Sequence, residues 1–152
     1  MMSNEELKSG LLEILPSAAF EESSEFLNLL IDAPALLPLM KTLRTDPKMD
    51  FDYLFNLTCV DWKDHFMMVY HLFSKKLKHT LVIKAKISDR ENPEIETVCK
   101  IWKTAELQER EVFDLFGVRF LNHPDLRKLF MEEDWKGFPL RKDYTDENMI
   151  EL

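Results

Sequence analysis

The residues best able to do chemistry lie in one stretch. Glu109 and Glu111 bracket Arg110, and paired carboxylates can divide general-acid and general-base roles. On a helix, however, positions i and i+2 point about 200° apart, so these two would not share a pocket. A local salt-bridge network is the simpler reading: Arg110 and Asp114 are four apart and can pair, and Glu111 can share that partner. Four histidines, His65, His71, His79 and His123, are potential metal ligands. None has HxxxH or HExxH spacing. His71 and His79 could face each other across a hairpin as a weak metal site, with ordinary strand histidines as the plainer alternative. No local signature supports Ser-His-Asp chemistry. Cys59 and Cys99 are too few and too far apart for a cluster motif. A disulfide between them is compatible with the sequence, but a cytosolic setting favours free thiols. Trp62, Trp102 and Trp135 read as packing anchors, and the eight methionines as core filler.

Glycine is scarce. The 152 residues hold three, Gly10, Gly117 and Gly137. Phosphate loops need several close together, because backbone must approach the phosphates. GxGxxG, the Walker A pattern and GxSxG are all absent. Charge points the same way. Lys+Arg number 20 against 28 Asp+Glu, a formal net charge of −8. Such a surface disfavours nucleic acid and anionic lipid as general partners. No apolar run reaches membrane-spanning length, and the acidic N-terminal ten residues lack a signal-peptide layout.

The elements that position these residues follow from periodicity. Ser3 or Asn4 can cap a helix to about Leu15, stopped by Pro16. Residues 25–31 read as a short strand, although the leucines also suit a helix. Asp32 is a plausible N-cap for a helix through Leu36, Leu37, Met40 and Leu43. Pro38 either kinks that helix or marks its start. Three strands follow in a meander. The first has Phe51, Tyr53, Phe55, Leu57 and Cys59 on one face. His65–Phe73 is apolar on both faces and reads as central. The third points Leu81, Ile83, Ala85 and Ile87 inward. After Pro93, residues 96–104 read as a short helix, and residues 105–116 as a stronger one closed by Gly117. Past Gly117 the chain reads as loop, with Pro124-Asp125 opening a turn of helix. Arg110, Arg119, Arg127, Arg141, Asp114, Asp125 and Asp143 could form an ion-pair lattice, and arginine forks suit carboxylates at interfaces.

The expected fold is α+β, with a mainly antiparallel sheet of about four strands flanked by helices. One domain covers residues 1–152. Residues 1–117 form its core, and residues 118–152 an irregular segment that docks on a partner.

The run Glu109-Arg110-Glu111-Val112-Phe113-Asp114-Leu115-Phe116-Gly117 is followed by His123-Pro124-Asp125-Leu126-Arg127-Lys128-Leu129. Together they resemble the signature of the 30-kDa subunit family of respiratory complex I, which in bacteria is the C-type subunit of NADH-quinone oxidoreductase. The segment Gly137-Phe138-Pro139-Leu140-Arg141-Lys142-Asp143-Tyr144 is similar to the family's closing motif GHPLRKDY, and Leu57-Thr58-Cys59-Val60-Asp61-Trp62 to its LTAVDW stretch. The resemblance covers roughly residues 50–145. Phe138 stands where the family usually has histidine, and Glu106-Leu107 where it commonly has Asn-Trp.

The resemblance implies a peripheral-arm subunit on the cytoplasmic side of the bacterial inner membrane. Such a chain binds no cofactor itself. NADH, FMN, iron–sulfur clusters and quinone belong to partner subunits. It would pack on the large quinone-site subunit (the D-type, 49-kDa one) in a complex that couples NADH oxidation by quinone to ion translocation. Related modules occur in membrane-bound hydrogenases. The implied roles are structural. Glu109, Arg110 and Asp114 fix the helix to the loop that follows. His123, Asp125, Arg127 and Lys128 shape that loop. Arg141, Lys142 and Asp143 lie on the large subunit. Glu111, Gly117, Pro124, Gly137, Pro139 and Leu140 complete the family motif and subunit interface. Leu107 becomes a possible partner contact, and the tail after Tyr144 a short one. The isolated chain could self-associate through its orphaned interface. An independent small enzyme using Glu109, Glu111 and His123 is the alternative of a different class.

Overall fold

The computed structural model describes residues 2–23 and 25–146. Its first helix, α1 (Asn4–Ile14), has a complete capping box. The Ser3 hydroxyl accepts the Glu6 N–H, and the Glu6 carboxylate accepts the Ser3 N–H, so two orphan donors are satisfied reciprocally. Leu7 and Leu11 face the core, while Leu12 is turned out. Gly10 does not interrupt this helix. A Cβ there would come within 2.6 Å of Met49 Cε, so the missing side chain makes room for Met49.

Strand β1 (Ala19–Glu21) pairs antiparallel with β2 (Leu27–Asp32). A 3-10 turn, Ala33–Ala35, leads into α2 (Leu36–Thr45). Pro38 therefore lies in the first turn of α2, where its missing N–H leaves no bond unmade. Asp32 precedes the 3-10 turn but makes no side-chain cap. The meander is β3 (Tyr53–Asp61), β4 (Phe66–Ser74) and β5 (His79–Ile87), all antiparallel neighbours. The sheet order is β1-β2-β5-β4-β3, giving five strands with β5 central and β4 beside it.

The α+β class stands, with two changes to the sheet. It has five strands rather than four, and β2 runs parallel to β5. Short connections enforce antiparallel pairing only between consecutive strands. The long excursion from β2 to β5 leaves the parallel arrangement open. Strand β3 also carries a bulge at Phe55. Leu54 pairs with Leu72, but the next pair is Asn56 with His71. One extra residue inverts the face of the strand residues before it, while Phe51, ahead of the strand, is buried as expected. Leu57 and Cys59 point inward as expected, but Leu54 is buried while Tyr53 and Phe55 stand outside. Phe55 then lies 5.4 Å from the His71 ring. His71 pairs with Val82 and His79 with Ser74, so the two histidines are not opposite each other. The His79 ring nitrogen Nε2 lies 2.7 Å from the Met49 carbonyl.

After β5 the chain forms β6 (Glu94–Glu96) and then two separate turns, at 99–101 and 103–104, not the expected short helix. Side-chain tethers hold this stretch: the Trp102 indole N–H donates to the Phe51 carbonyl, and the Thr104 hydroxyl to the Leu54 carbonyl. Helix α3 (Ala105–Phe116) ends at Gly117, which is left-handed at φ 79°. The next residues are not loop. Strand β7 (Arg119–Leu121) pairs parallel with β6, and Val118 and Phe120 are buried. Pro124-Asp125 forms a turn without a helix. One core joins the inner sheet face to the helices: Phe66, Met68, Tyr70, Leu72, Leu81 and Ile83 meet Leu36, Met40, Leu43 and Val112. Both cysteines are buried and free.

Candidate interaction site around the third helix

The charged residues of α3 have divided between inside and outside. Glu109, Arg110 and Asp114 are buried, whereas Glu111 is exposed. Opposed pointing of Glu109 and Glu111 follows from helical geometry. The expected Arg110–Asp114 pairing does not form. Each bonds backbone instead. Arg110 donates from Nε to the Arg127 carbonyl and from Nη2 to the Lys128 carbonyl, both at 3.1 Å. Asp114 Oδ2 accepts the N–H groups of Leu129, Phe130 and Met131 at 3.2, 2.7 and 2.9 Å. An irregular segment leaves its backbone groups unpaired, and these two side chains supply the partners.

Glu109 faces the other way, toward the turn after β6. Its carboxylate accepts the Thr97 hydroxyl and, at 3.1 Å, the Val98 N–H. Burial pushes its carboxyl up to about 7, against the pull of these hydrogen bonds.

His123 sits near the start of α3. Its Nδ1 accepts the Asp125 N–H at 3.0 Å, and its Nε2 lies 3.0 Å from the Glu106 carbonyl. An acceptor at Nδ1 and a carbonyl at Nε2 require the neutral ring with its proton on Nε2. Cys99, Glu109 and His123 bring their ligand atoms within 4.8 Å of one another, with His123 Nε2 4.0 Å from Glu109 Oε1. The trio is a poor metal site all the same. For Nε2 to ligate, the proton would have to move to Nδ1, where it would meet the Asp125 N–H.

Asp125 and Arg127 form an exposed ion pair at 3.0 Å, and the Arg127 hydrogen bond holds the Asp125 carboxyl below its ordinary value. Lys128 Nζ donates to the carbonyls of Glu132, Glu133 and Trp135, binding the acidic loop to the segment. Pro124 lies exposed in the turn beside them.

The final motif closes over the end of α3. The Leu140 N–H donates to the Leu115 carbonyl at 3.0 Å, and Arg141 Nε to the Phe116 carbonyl at 2.6 Å. The Arg141 guanidinium lies over the rings of Phe66 and Phe138, at 5.2 and 4.9 Å. Phe138 thus acts by packing against that guanidinium. A Cβ on Gly117 would meet Phe138 at 2.6 Å and Arg141 at 2.8 Å. Gly137 is left-handed at φ 81°. Pro139 is half-buried beside it. The Lys142 N–H donates to Asp61 Oδ2 at 2.8 Å. Asp61 also binds Arg90 through two bonds, at 2.5 and 2.8 Å, and Arg90 reaches Asp143 at 3.4 Å.

Thus the expected ion-pair lattice is not what forms. Arg119 pairs with Glu94, Arg127 with Asp125, and Asp143 with Arg90. Arg110, Arg141 and Asp114 are tethers to main chain. Sequence reasoning left Asp61, Arg90, Thr97 and Phe66 out of the site. Asp61 lay inside a family-like block and could have been found there. Arg90 stands in a polar loop with no local signal at all.

Residues 29–148 match the family model for the respiratory-chain NADH dehydrogenase 30-kDa subunit. The C-type subunit of the NADH-quinone oxidoreductase of Roseiflexus castenholzii is 36% identical over 93% of this chain and 84% of its own. The C/D-type subunit of the Phocaeicola vulgatus enzyme is 45% identical over 76% of this chain, and the match spans only 22% of that longer protein. Among solved structures, a chain of the archaeal membrane-bound sulfane sulfur reductase, a respiratory membrane complex, superposes with TM-score 0.75 at 28% identity. That match covers 93% of this chain and 85% of the other. Among the described residues no helix is long and apolar enough to cross a membrane. The motif blocks, their positions in the fold and these matches agree: the chain belongs to the family of the 30-kDa subunit of respiratory-chain NADH dehydrogenase.

Proposed function

We propose that this chain is a cofactor-free structural subunit of the peripheral arm of an NADH:quinone oxidoreductase, docking on the large quinone-site subunit from the cytoplasmic side of the membrane. The observation that carries the reading is the occurrence of relatives named as combined C/D-type subunits, in which the segment like this chain is about a fifth of a longer polypeptide. Segments joined in one polypeptide in some organisms are candidates for direct contact where they are separate. The geometry supports a binding role. The segment after β7 is irregular, yet its backbone is held by Arg110, Asp114, Lys128 and Asp61, and it displays Phe130 and Leu140 to solvent. Ordered main chain presenting apolar side chains is what a docking surface requires. NADH, FMN, iron–sulfur clusters and quinone are assigned to partner subunits. The His123 geometry supports the absence of a metal in this one.

A second reading rests on the sulfane sulfur reductase chain. The same fold would serve an oxidoreductase with another electron donor, such as a membrane-bound hydrogenase. Purification of the tagged chain from native membranes tests both. Co-elution of NADH-binding and quinone-site subunits with NADH:quinone activity supports the first. Co-elution of a nickel-binding or sulfur-reducing subunit without an NADH-binding one replaces it with the second. Recovery of the chain alone refutes both. Within the complex, unchanged capture of the quinone-site subunit by the Arg141→Ala, Asp143→Ala double variant would remove the closing motif from the interface.

A further inference from the structure

Helix α3 is wrapped on one flank and at its end, and one stripe is left uncovered. His123 lies at Glu106, Arg127 and Lys128 at Arg110, and residues 129–131 at Asp114, so the segment runs alongside the helix in the same direction. Leu140 and Arg141 then cross at Leu115 and Phe116. Leu107, Glu111 and Leu115, spaced by four, share the open face. Leu107 is 58% exposed. Phe130, whose backbone is fastened to Asp114, is 64% exposed, and Leu140, fastened to Leu115, is 52% exposed. These are three large apolar side chains, each on backbone that belongs to α3 or is fastened to it, and α3 itself adds the exposed carboxylate of Glu111. Glu111 has no hydrogen bond or ion pair among the described residues. Its helix neighbours at three and four residues are Leu107, Gln108, Asp114 and Leu115, none of them cationic.

We propose that this stripe is the seat on which the quinone-site subunit places an arginine or lysine flanked by apolar side chains, with Glu111 as the counter-charge. The proposal rests on the reading that the chain docks on that subunit. It adds where, and through what chemistry. An exposed apolar cluster disfavours water on docking. An unpaired carboxylate on the same stripe would be costly to cover unless a cation meets it. The complementary surface is therefore apolar with one positive charge. A bidentate guanidinium satisfies a carboxylate most fully. The open outer face of the sheet presents cations instead: on central β5, Lys84 lies opposite Glu21 and Lys86 is exposed.

The test measures affinity between the full chain and the quinone-site subunit of the same organism, co-expressed and purified. Variants are Glu111→Gln, Glu111→Arg and Leu107→Asp, with Thr58→Asp on the outward face of β3, turned away from α3, as control. All three positions are exposed, so circular dichroism melts should match wild type. Binding is expected to weaken about tenfold for Glu111→Gln and about a hundredfold for Glu111→Arg and Leu107→Asp, with the control within about twofold. Wild-type binding that all three stripe variants retain overturns the proposal and leaves the docking reading intact. No wild-type binding overturns both. A wild-type homodimer that Glu111→Arg dissolves, without capture of the quinone-site subunit, assigns the stripe to a second copy and also overturns it.

Discussion

The carboxylate of Asp61 accepts the backbone N–H of Lys142 at 2.8 Å, joining residues 81 apart in sequence. The same carboxylate accepts the Lys63 N–H and both nitrogens of the Arg90 fork. One side chain at the end of β3 therefore orders its own turn, a distant loop and the closing motif. The Arg90 hydrogen bonds hold its carboxyl well below the ordinary carboxylate range, against the opposing effect of burial.

Replacing Asp61 by Asn should destabilise the protein by roughly 3 kcal/mol, since it leaves Arg90 without its main counter-charge. Tryptic cleavage at Lys136 and Arg141 should accelerate before global unfolding, because the closing motif loses an anchor. The sign of the pH effect follows from the depressed folded value. The contribution of Asp61 is complete above the unfolded carboxyl value near about 4 and fades as pH falls below it. Urea melts between pH 2 and 5 should show this slope in wild type and a weaker one in Asp61→Asn.

Glu109 predicts the opposite slope. Its folded carboxyl titrates at about 7, above the unfolded value, so the native state binds the extra proton. Stability should decline as pH rises from about 4.5 through 7, by a total on the order of 3 kcal/mol. Glu109→Gln keeps the shape and can bond both Thr97 and Val98. It should be more stable than wild type at pH 8 and lack this slope. Identical slopes in the two proteins would refute the assignment.

Two glycines separate backbone strain from mere space. Gly117→Ala puts a Cβ at positive φ and against Phe138 and Arg141, and should cost roughly 2–4 kcal/mol by chemical denaturation. Gly10→Ala meets only the flexible end of Met49 and gains helix propensity. Its change should stay within about 1 kcal/mol.

Asp114→Ala removes the acceptor for three consecutive N–H groups. Hydrogen exchange at Leu129, Phe130 and Met131 should rise at least about tenfold, while exchange in β4 and β5 stays unchanged.

Metal analysis gives the last check. With both His123 nitrogens engaged, protein purified without chelator should carry no stoichiometric zinc or iron, and added zinc should not raise its melting temperature. A rise abolished by Cys99→Ser would instead make the Cys99, Glu109 and His123 trio a ligand set.

The sequence by itself determined the family, the capped first helix, the meander and the end of α3 at Gly117. Those features depend on local chemistry: capping oxygens, alternation over short connections, and a residue free to adopt positive φ. It did not show the bulge at Phe55, because an alternating run looks the same with or without one extra residue until its partner strand sets the register. Nor could it show the parallel β2–β5 and β6–β7 pairings, which join strands through long excursions. The charged block was legible as a block, but its wiring was not. Helical spacing put Arg110 within reach of Asp114, and tertiary structure gave both to the backbone of the segment beside them. Buried main-chain groups without secondary structure must be satisfied, and charged side chains on the nearest helix were the groups available. Only the folded chain could decide which of two alternate glutamates is buried against Thr97 and which is left exposed and unpaired.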